Sequence, residues 1–183
     1  MASKSLAELG PVCIVITGMP GAGKSTVAEL VAMGLPRSMM LSGDAVAAMI
    51  VGGRVWALGS PRHEALAQIE LINRNLAALA RNATEAGFTA VIETVLPDRA
   101  EFDALTSSLA CDVLLIVLSP GIEVCRARNA TRANDQRWEF DGYEALEAEM
   151  LDNFRDSAWW FDTAQLGPSE TAERIISEAH TRL

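Results

Sequence analysis

Residues 18–26 read GMPGAGKST, and this stretch decides the expected fold of the chain. It follows an apolar run with β-branched residues, VCIVIT at 12–17, and it precedes apolar residues at helical spacing from Ser25 to Leu35. The first pattern is typical of a strand buried on both faces, and the second is typical of an amphipathic helix. The sequence therefore predicts a strand, a glycine-rich loop and a helix in direct succession.

The loop matches the pattern G-x-x-x-x-G-K-[ST] from Gly18 to Ser25. Its glycines let backbone N–H groups point at phosphate oxygens, and the N-terminus of the following helix adds partial positive charge. We predict that Lys24 bridges the outer phosphates of ATP or GTP and that the Ser25 hydroxyl binds the accompanying Mg²⁺. The residues predicted to bind the nucleotide are Gly21, Ala22, Gly23, Lys24, Ser25 and Thr26.

The rest of the chain alternates between strand and helix patterns. Further strands are predicted at 37–42, 88–95, 112–119 and 159–164, and helices at 61–86, 97–108, 143–155 and from 168 onward. Between residues 43 and 55 the pattern leaves a helix or an irregular segment open. Such alternation predicts an α/β fold: a three-layer α/β/α sandwich around a doubly wound parallel sheet of about five strands. No composition shift marks a boundary, so residues 1–183 are expected to form a single domain.

Composition narrows the classes of partner and compartment. The net charge of −9 disfavours nucleic acid as a partner, because a phosphate backbone would be repelled. The cysteines, Cys13, Cys111 and Cys125, have neither the number nor the spacing of a disulfide framework or a zinc site. The first residues lack an apolar leader, and no apolar run is long enough for a membrane span, so we expect a cytoplasmic protein. The oligomeric state stays open.

Carboxylates near the predicted strand ends are candidates for the chemistry. Ligands of doubly wound sheets collect beyond the carboxyl ends of the strands, where Asp44 and Glu93 lie and where Asp98 follows shortly after. A carboxylate there can accept a proton from an acceptor hydroxyl, orient that hydroxyl, or hold a water on magnesium. The alternative for Asp44 and Asp98 is to cap a helix. Glu93 lies in an apolar strand, where an unpaired charge is costly, and this favours a functional role.

A second group of candidates lies in the arginine-rich segment RARNATRANDQR at 126–137. On a helix, Arg128 and Arg132 share one face, and their planar donors suit the oxygens of a phosphoryl group in transfer. We predict an arginine-bearing lid near 126–142 that closes over the triphosphate and excludes water. The alternative is a solvated helix face whose arginines pair with Glu123, Asp135 and Glu139.

With the glycine loop, the two strand-end acids and the arginine segment in this order, the chain from about 12 to 180 resembles the small P-loop kinases. It is most similar in pattern to the chloramphenicol phosphotransferase-like and zeta-toxin-like groups, and less so to gluconate and shikimate kinases. The resemblance implies the P-loop NTPase fold, Asp44 as the base toward the acceptor hydroxyl and Glu93 as a ligand of substrate or metal. It also implies that Arg128 and Arg132 are lid arginines. The strand at 112–119 begins rather than ends with an acid, so this strand adds no metal-ligand candidate to Ser25.

These observations predict a magnesium-dependent phosphotransferase that moves the γ-phosphate of ATP to a hydroxyl of a small molecule. The acceptor could be an antibiotic, a sugar or a nucleotide-sugar. The alternative is a regulatory ATPase with water as the acceptor. Candidates for the acceptor pocket, each with a structural alternative, are Arg54, Trp56, Arg62, His63 and Asn73.

Overall fold

The computed structural model describes residues 10–131 and 140–183. The strands are β1 (Cys13–Gly18), β2 (Ser38–Ser42), β3 (Thr89–Glu93), β4 (Val113–Leu118) and β5 (Trp159–Phe161). The helices are α1 (Lys24–Met33), α2 (Gly43–Ala48), α3 (Arg62–Glu85), α4 (Arg99–Thr106), α5 (Ile122–Ala130), α6 (Tyr143–Phe154) and α7 (Pro168–Glu178), and a 3₁₀ turn follows at Ala179–Thr181.

All five strands run parallel in the order β2-β3-β1-β4-β5. The predicted doubly wound sheet of about five parallel strands is therefore confirmed. β1 lies at the centre, and its register pairs Ile16 with Glu93 on one side and with Ile116 on the other. Because parallel strands end at the same edge, Gly18, Ser42 and Glu93 all lie along one rim of the sheet.

The sheet is covered on both faces, which gives the three predicted layers. Every residue of β1 is buried, and its side chains alternate between two apolar clusters. Ile14 and Ile16 pack with α1 and α7, whereas Val15 packs with α3, α4 and α6. A strand buried on both faces needs apolar residues at every position, and this explains the continuous run VCIVIT.

The sequence left residues 43–55 as either a helix or an irregular segment, and the structure has a short helix followed by an irregular segment. The helix ends at Ala48, and from there to Pro61 the backbone has no regular structure. This segment lies beside the rim at which β2 and β3 end, because α2 begins directly after β2. None of the helices in the two described ranges is long and apolar enough to cross a membrane.

The glycine loop packs against α5 with no room for a side chain at Gly21. Its φ is +86°, and a Cβ added there would collide with the carbonyl oxygen of Cys125. The loop and α5 are thus in backbone contact, and the conformation favours glycine.

We expect Gly21→Ala to lower the free energy of unfolding by about 2 kcal/mol or more, because the loop or α5 must shift and the left-handed backbone is strained. Gly52→Ala is the matched control, since a Cβ there meets nothing within 4 Å. Urea unfolding of both variants measures the difference. Equal transition midpoints for the two variants would contradict the backbone contact.

Candidate active site

Lys24 lies across the glycine loop. Its Nζ donates to the carbonyl oxygens of Gly18, at 3.0 Å, and Met19, at 3.1 Å. Gly23 takes the N-cap position of α1 in the left-handed conformation, and it has no side chain that could accept from the first turn of the helix. The N-terminal amides of α1 and the lysine ammonium group therefore converge where an anion would be bound.

Glu93 is the buried acid at the rim, with a relative exposure of 3%. Its carboxylate accepts a hydrogen bond from the Ser42 hydroxyl. Burial is the main influence on its pKa and raises it, and the negative charge of Asp44 acts in the same direction. The hydrogen bonds from Ser42 and Ser25 and the positive charge of Lys24 lower the pKa and partly offset the burial.

Magnesium fits the donor set formed by Ser25 and Glu93. A hydroxyl and a carboxylate are the hard oxygen ligands that Mg²⁺ prefers, and Mg²⁺ usually takes its other ligands from phosphates and water. In the described ranges, this site included, no group of three or more His, Cys, Asp or Glu side chains could hold a metal ion. The acid next to the glycine loop comes from β3 and not from β4, because β3 ends in Glu93 while Asp112 precedes β4.

Helix capping was the alternative for Asp44 and for Asp98, and the structure supports it for only one of them. Ser42, not Asp44, is the N-cap of α2, and its Oγ accepts from Ala45 N at 3.3 Å. Capping is therefore the wrong interpretation for Asp44, whose exposed carboxylate lies in the first turn of α2 and lines a cavity. Asp98 does cap a helix, because its Oδ1 accepts from Glu101 N at 2.9 Å in the first turn of α4.

The arginines of the 126–137 segment divide between the glycine loop and the surface. Arg128 points to the loop, with its Nη1 donating toward Ala22 O at 3.4 Å. Arg126 instead forms ion pairs with Glu123, a partner named in the surface alternative, and with Glu144, which was not predicted. Residues 132–139, which include Arg132, lie outside the described residues.

A cavity of about 540 Å³ extends from the glycine loop into the space between α3, α4 and α6. Lys24, Ser25, Asp44 and Glu93 line one end of it. Of the pocket residues proposed from the sequence, the cavity is lined by Arg54, Trp56, Arg62 and Asn73, whereas His63 is exposed and lies outside its lining. Sequence reasoning missed Gln68, Glu101 and Glu149, because helical periodicity does not reveal which polar positions of different helices meet.

The comparison with family models identifies the class of the protein. A model described as an AAA domain matches residues 13–157, and the chain belongs to this family. No curated protein matches the sequence with significance.

Several solved structures with the same fold are kinases of small molecules. A sugar kinase from Janibacter sp. HTCC2649 is 18% identical, with a TM-score of 0.68 and coverage of 94% of this chain and 96% of that chain. A shikimate kinase from Acinetobacter baumannii, in complex with shikimate, is 18% identical, with a TM-score of 0.63 and 92% coverage of both chains. An APS kinase from Mycobacterium tuberculosis, in complex with AMPPNP and APS, is 17% identical, with a TM-score of 0.63 and coverage of 91% and 96%. The predicted resemblance to small P-loop kinases is confirmed at the level of the fold.

We expect Glu93→Gln to raise the melting temperature of the nucleotide-free protein at about pH 7.5. Burial raises the pKa of Glu93 in the folded chain above its unfolded value of about 4.3. The stability that the protonated acid contributes is fully present below the unfolded pKa and is lost as the pH rises through the folded pKa. Glutamine stays neutral and can still accept from Ser42, so it avoids this loss.

The measurement is a pair of thermal melts for each protein, at about pH 7.5 and about pH 4. The advantage of Glu93→Gln at the higher pH should shrink or vanish at the lower pH, where both side chains are neutral. A glutamine variant that is less stable than the parent at both pH values would contradict the assigned burial cost.

Proposed function

We propose that the protein is a magnesium-dependent kinase that transfers the γ-phosphate of ATP to a hydroxyl group of a small molecule. The observation that carries the proposal is the cavity, because one continuous space contains the phosphate-binding loop, the Asp44 and Glu93 carboxylates and many apolar side chains. A hydrolase needs room for a water molecule only, whereas a cavity of this size suits an organic acceptor. The substrates named for the shikimate and APS kinases, both small molecules, support the same interpretation.

Asp44 is the proposed base toward the acceptor hydroxyl. Its carboxylate is exposed to the cavity, at the end nearest the glycine loop. Since Ser42 caps α2, the Asp44 carboxylate is not needed for capping. A carboxylate in this place can accept the proton of the hydroxyl and orient its oxygen toward the γ-phosphate.

The phosphates would be held by Lys24, the loop amides and Arg128. Lys24 donates to the loop carbonyls of Gly18 and Met19, and we propose that it would exchange these acceptors for phosphate oxygens. Arg128, from α5, would stabilise charge on the transferring group. Ser25 and Glu93 would hold Mg²⁺, which neutralises phosphate charge when it is bound.

We further propose that residues 1–183 form one domain and that a lid near 126–142 completes the site, with Arg132 as its second arginine. Arg128 and Phe140 flank the undescribed part of this segment, one beside the loop and the other on the cavity wall. Closure of such a segment would exclude water and so suppress hydrolysis in favour of transfer.

The test of the function is ADP release from ATP and Mg²⁺ with a panel of hydroxyl acceptors. We expect one class of acceptor to stimulate release, Lys24→Ala to abolish it, and Asp44→Asn to lower kcat by about 10²–10⁴-fold, the usual contribution of a general base. Release that is independent of every acceptor and survives Asp44→Asn would instead support an ATPase.

The two arginines of α5 provide a matched pair of variants. Arg128→Ala should lower kcat by about 10²-fold, because it removes a donor from the transferring phosphoryl group. Arg126→Ala should leave kcat within about twofold, since its partners are exposed carboxylates whose ion pairs contribute little. Steady-state kinetics with the stimulating acceptor checks both, and equal losses in the two variants would contradict the assignment of Arg128.

A further inference from the structure

A large part of the cavity wall is built from apolar side chains. Ile50, Trp56, Leu58, Leu66, Ile69 and Ile72 line it. Some of these remain open to solvent, with exposures of 42% for Trp56, 48% for Leu66 and 61% for Leu58. Neighbouring apolar side chains exposed around a concave site mark a surface that a ligand covers.

Gln68 holds the irregular wall of the cavity in place from α3. It is buried, its Oε1 accepts from Val55 N at 2.9 Å, and its Nε2 donates to Gly53 O at 2.8 Å. The amide thus binds the backbone on both sides of Arg54, directly before Trp56. Ordering a segment without regular structure costs conformational entropy, and the two hydrogen bonds of this amide help to compensate for that cost. They fix the backbone next to Trp56.

A second group of acids on the cavity wall disfavours a negatively charged acceptor. Asp98, Glu101 and Glu149 line the cavity together with Arg62. The pKa of Glu101 is raised by burial and by the negative charges of Asp98 and Glu149, although Asn73 and Arg62 act against this. A carboxylate or phosphate on the acceptor would add repulsion among these groups and would lose its hydration against the apolar wall.

We propose that the cavity selects an acceptor alcohol with a mainly apolar body and no negative charge, and that Trp56 is the residue that contacts this body. This inference rests on the proposed function only in calling the ligand an acceptor. An uncharged acceptor would distinguish this protein from kinases whose substrates are hydroxy acids or already carry a phosphate. Sugars without an apolar substituent are also excluded as good ligands, because they would leave the wall without apolar contact.

The test uses matched probes that share one hydroxyethyl-substituted aromatic ring. The para-methyl, para-aminomethyl and para-carboxylate derivatives of phenylethanol differ in charge only at the far end, and ribitol is the polyol without an apolar body. Calorimetric titration of the full chain, saturated with Mg²⁺ and a non-hydrolysable ATP analogue, measures binding without turnover. We expect the first two probes to bind at least about tenfold more tightly than the carboxylate and ribitol, a difference of about 1.4 kcal/mol.

Variants locate the selection in the cavity. Trp56→Ala should weaken the para-methyl probe by about tenfold and leave the nucleotide affinity unchanged, as for the loss of an aromatic contact. Val51→Ala is the matched control, because Val51 is 93% exposed on the same segment and does not line the cavity. Glu101→Gln should narrow the difference between the carboxylate and para-methyl probes.

The proposal is overturned if the carboxylate or ribitol binds as tightly as the neutral probe, if no probe binds, or if Trp56→Ala behaves like Val51→Ala. These outcomes are separate from failure of the kinase function. Selective binding without transfer would contradict the function alone, and transfer to a hydroxy acid would contradict the acceptor class alone.

Discussion

β1 pairs in parallel with β3 on one side and with β4 on the other, and this pairing fixes where the candidate site lies. Parallel strands bring their carboxyl ends to one rim of the sheet. The strand pairing alone therefore places three groups close together: the loop after β1, the Ser42 hydroxyl and the Glu93 carboxylate. A shift of one residue between the strands would move Glu93 out of register with Ile16 and with Ser42. Glu93 reaches its position because Ile16 pairs with it.

The buried carboxylate of Glu93 shows how the fold accommodates a charge in the sheet. Transfer of a carboxylate from water is costly, yet hydrogen bonds from two serines and the nearby ammonium group of Lys24 partly compensate. All three compensating groups come from segments next to β3 in space and distant from it in sequence. A structural role alone would be filled at lower cost by an apolar residue, so an acid at position 93 is consistent with a ligand that supplies positive charge.

Local patterns in the sequence are sufficient for the architecture. The patterns of the glycine loop, of the apolar runs and of the long helix α3 depend only on neighbours along the chain. The predicted elements differ from the observed ones mainly at their ends. The sequence could not predict whether Ser42 or Asp44 caps α2. Serine and aspartate are both good N-caps, and only the backbone geometry at Ser42 decides between them. Glu93 was a candidate from the sequence, because an acid in an apolar strand is unusual, but its hydrogen bond with Ser42 depends on the pairing of β2 with β3. Trp56 lies on a segment without periodicity and Gln68 lies on α3, so their placement on one wall of the cavity depends on tertiary structure.

Transfer of labelled γ-phosphate to an organic acceptor tests the central claim most directly. The protein would be incubated with γ-³²P-labelled ATP, Mg²⁺ and a fractionated mixture of neutral apolar alcohols, with Asp44→Asn as the control, and the products would be separated from ATP. If the protein is a kinase of small molecules with Asp44 as its base, label appears in an organic phosphate monoester that is absent from the Asp44→Asn reaction. Label found entirely in inorganic phosphate, at the same rate with and without alcohols and in both proteins, would contradict it.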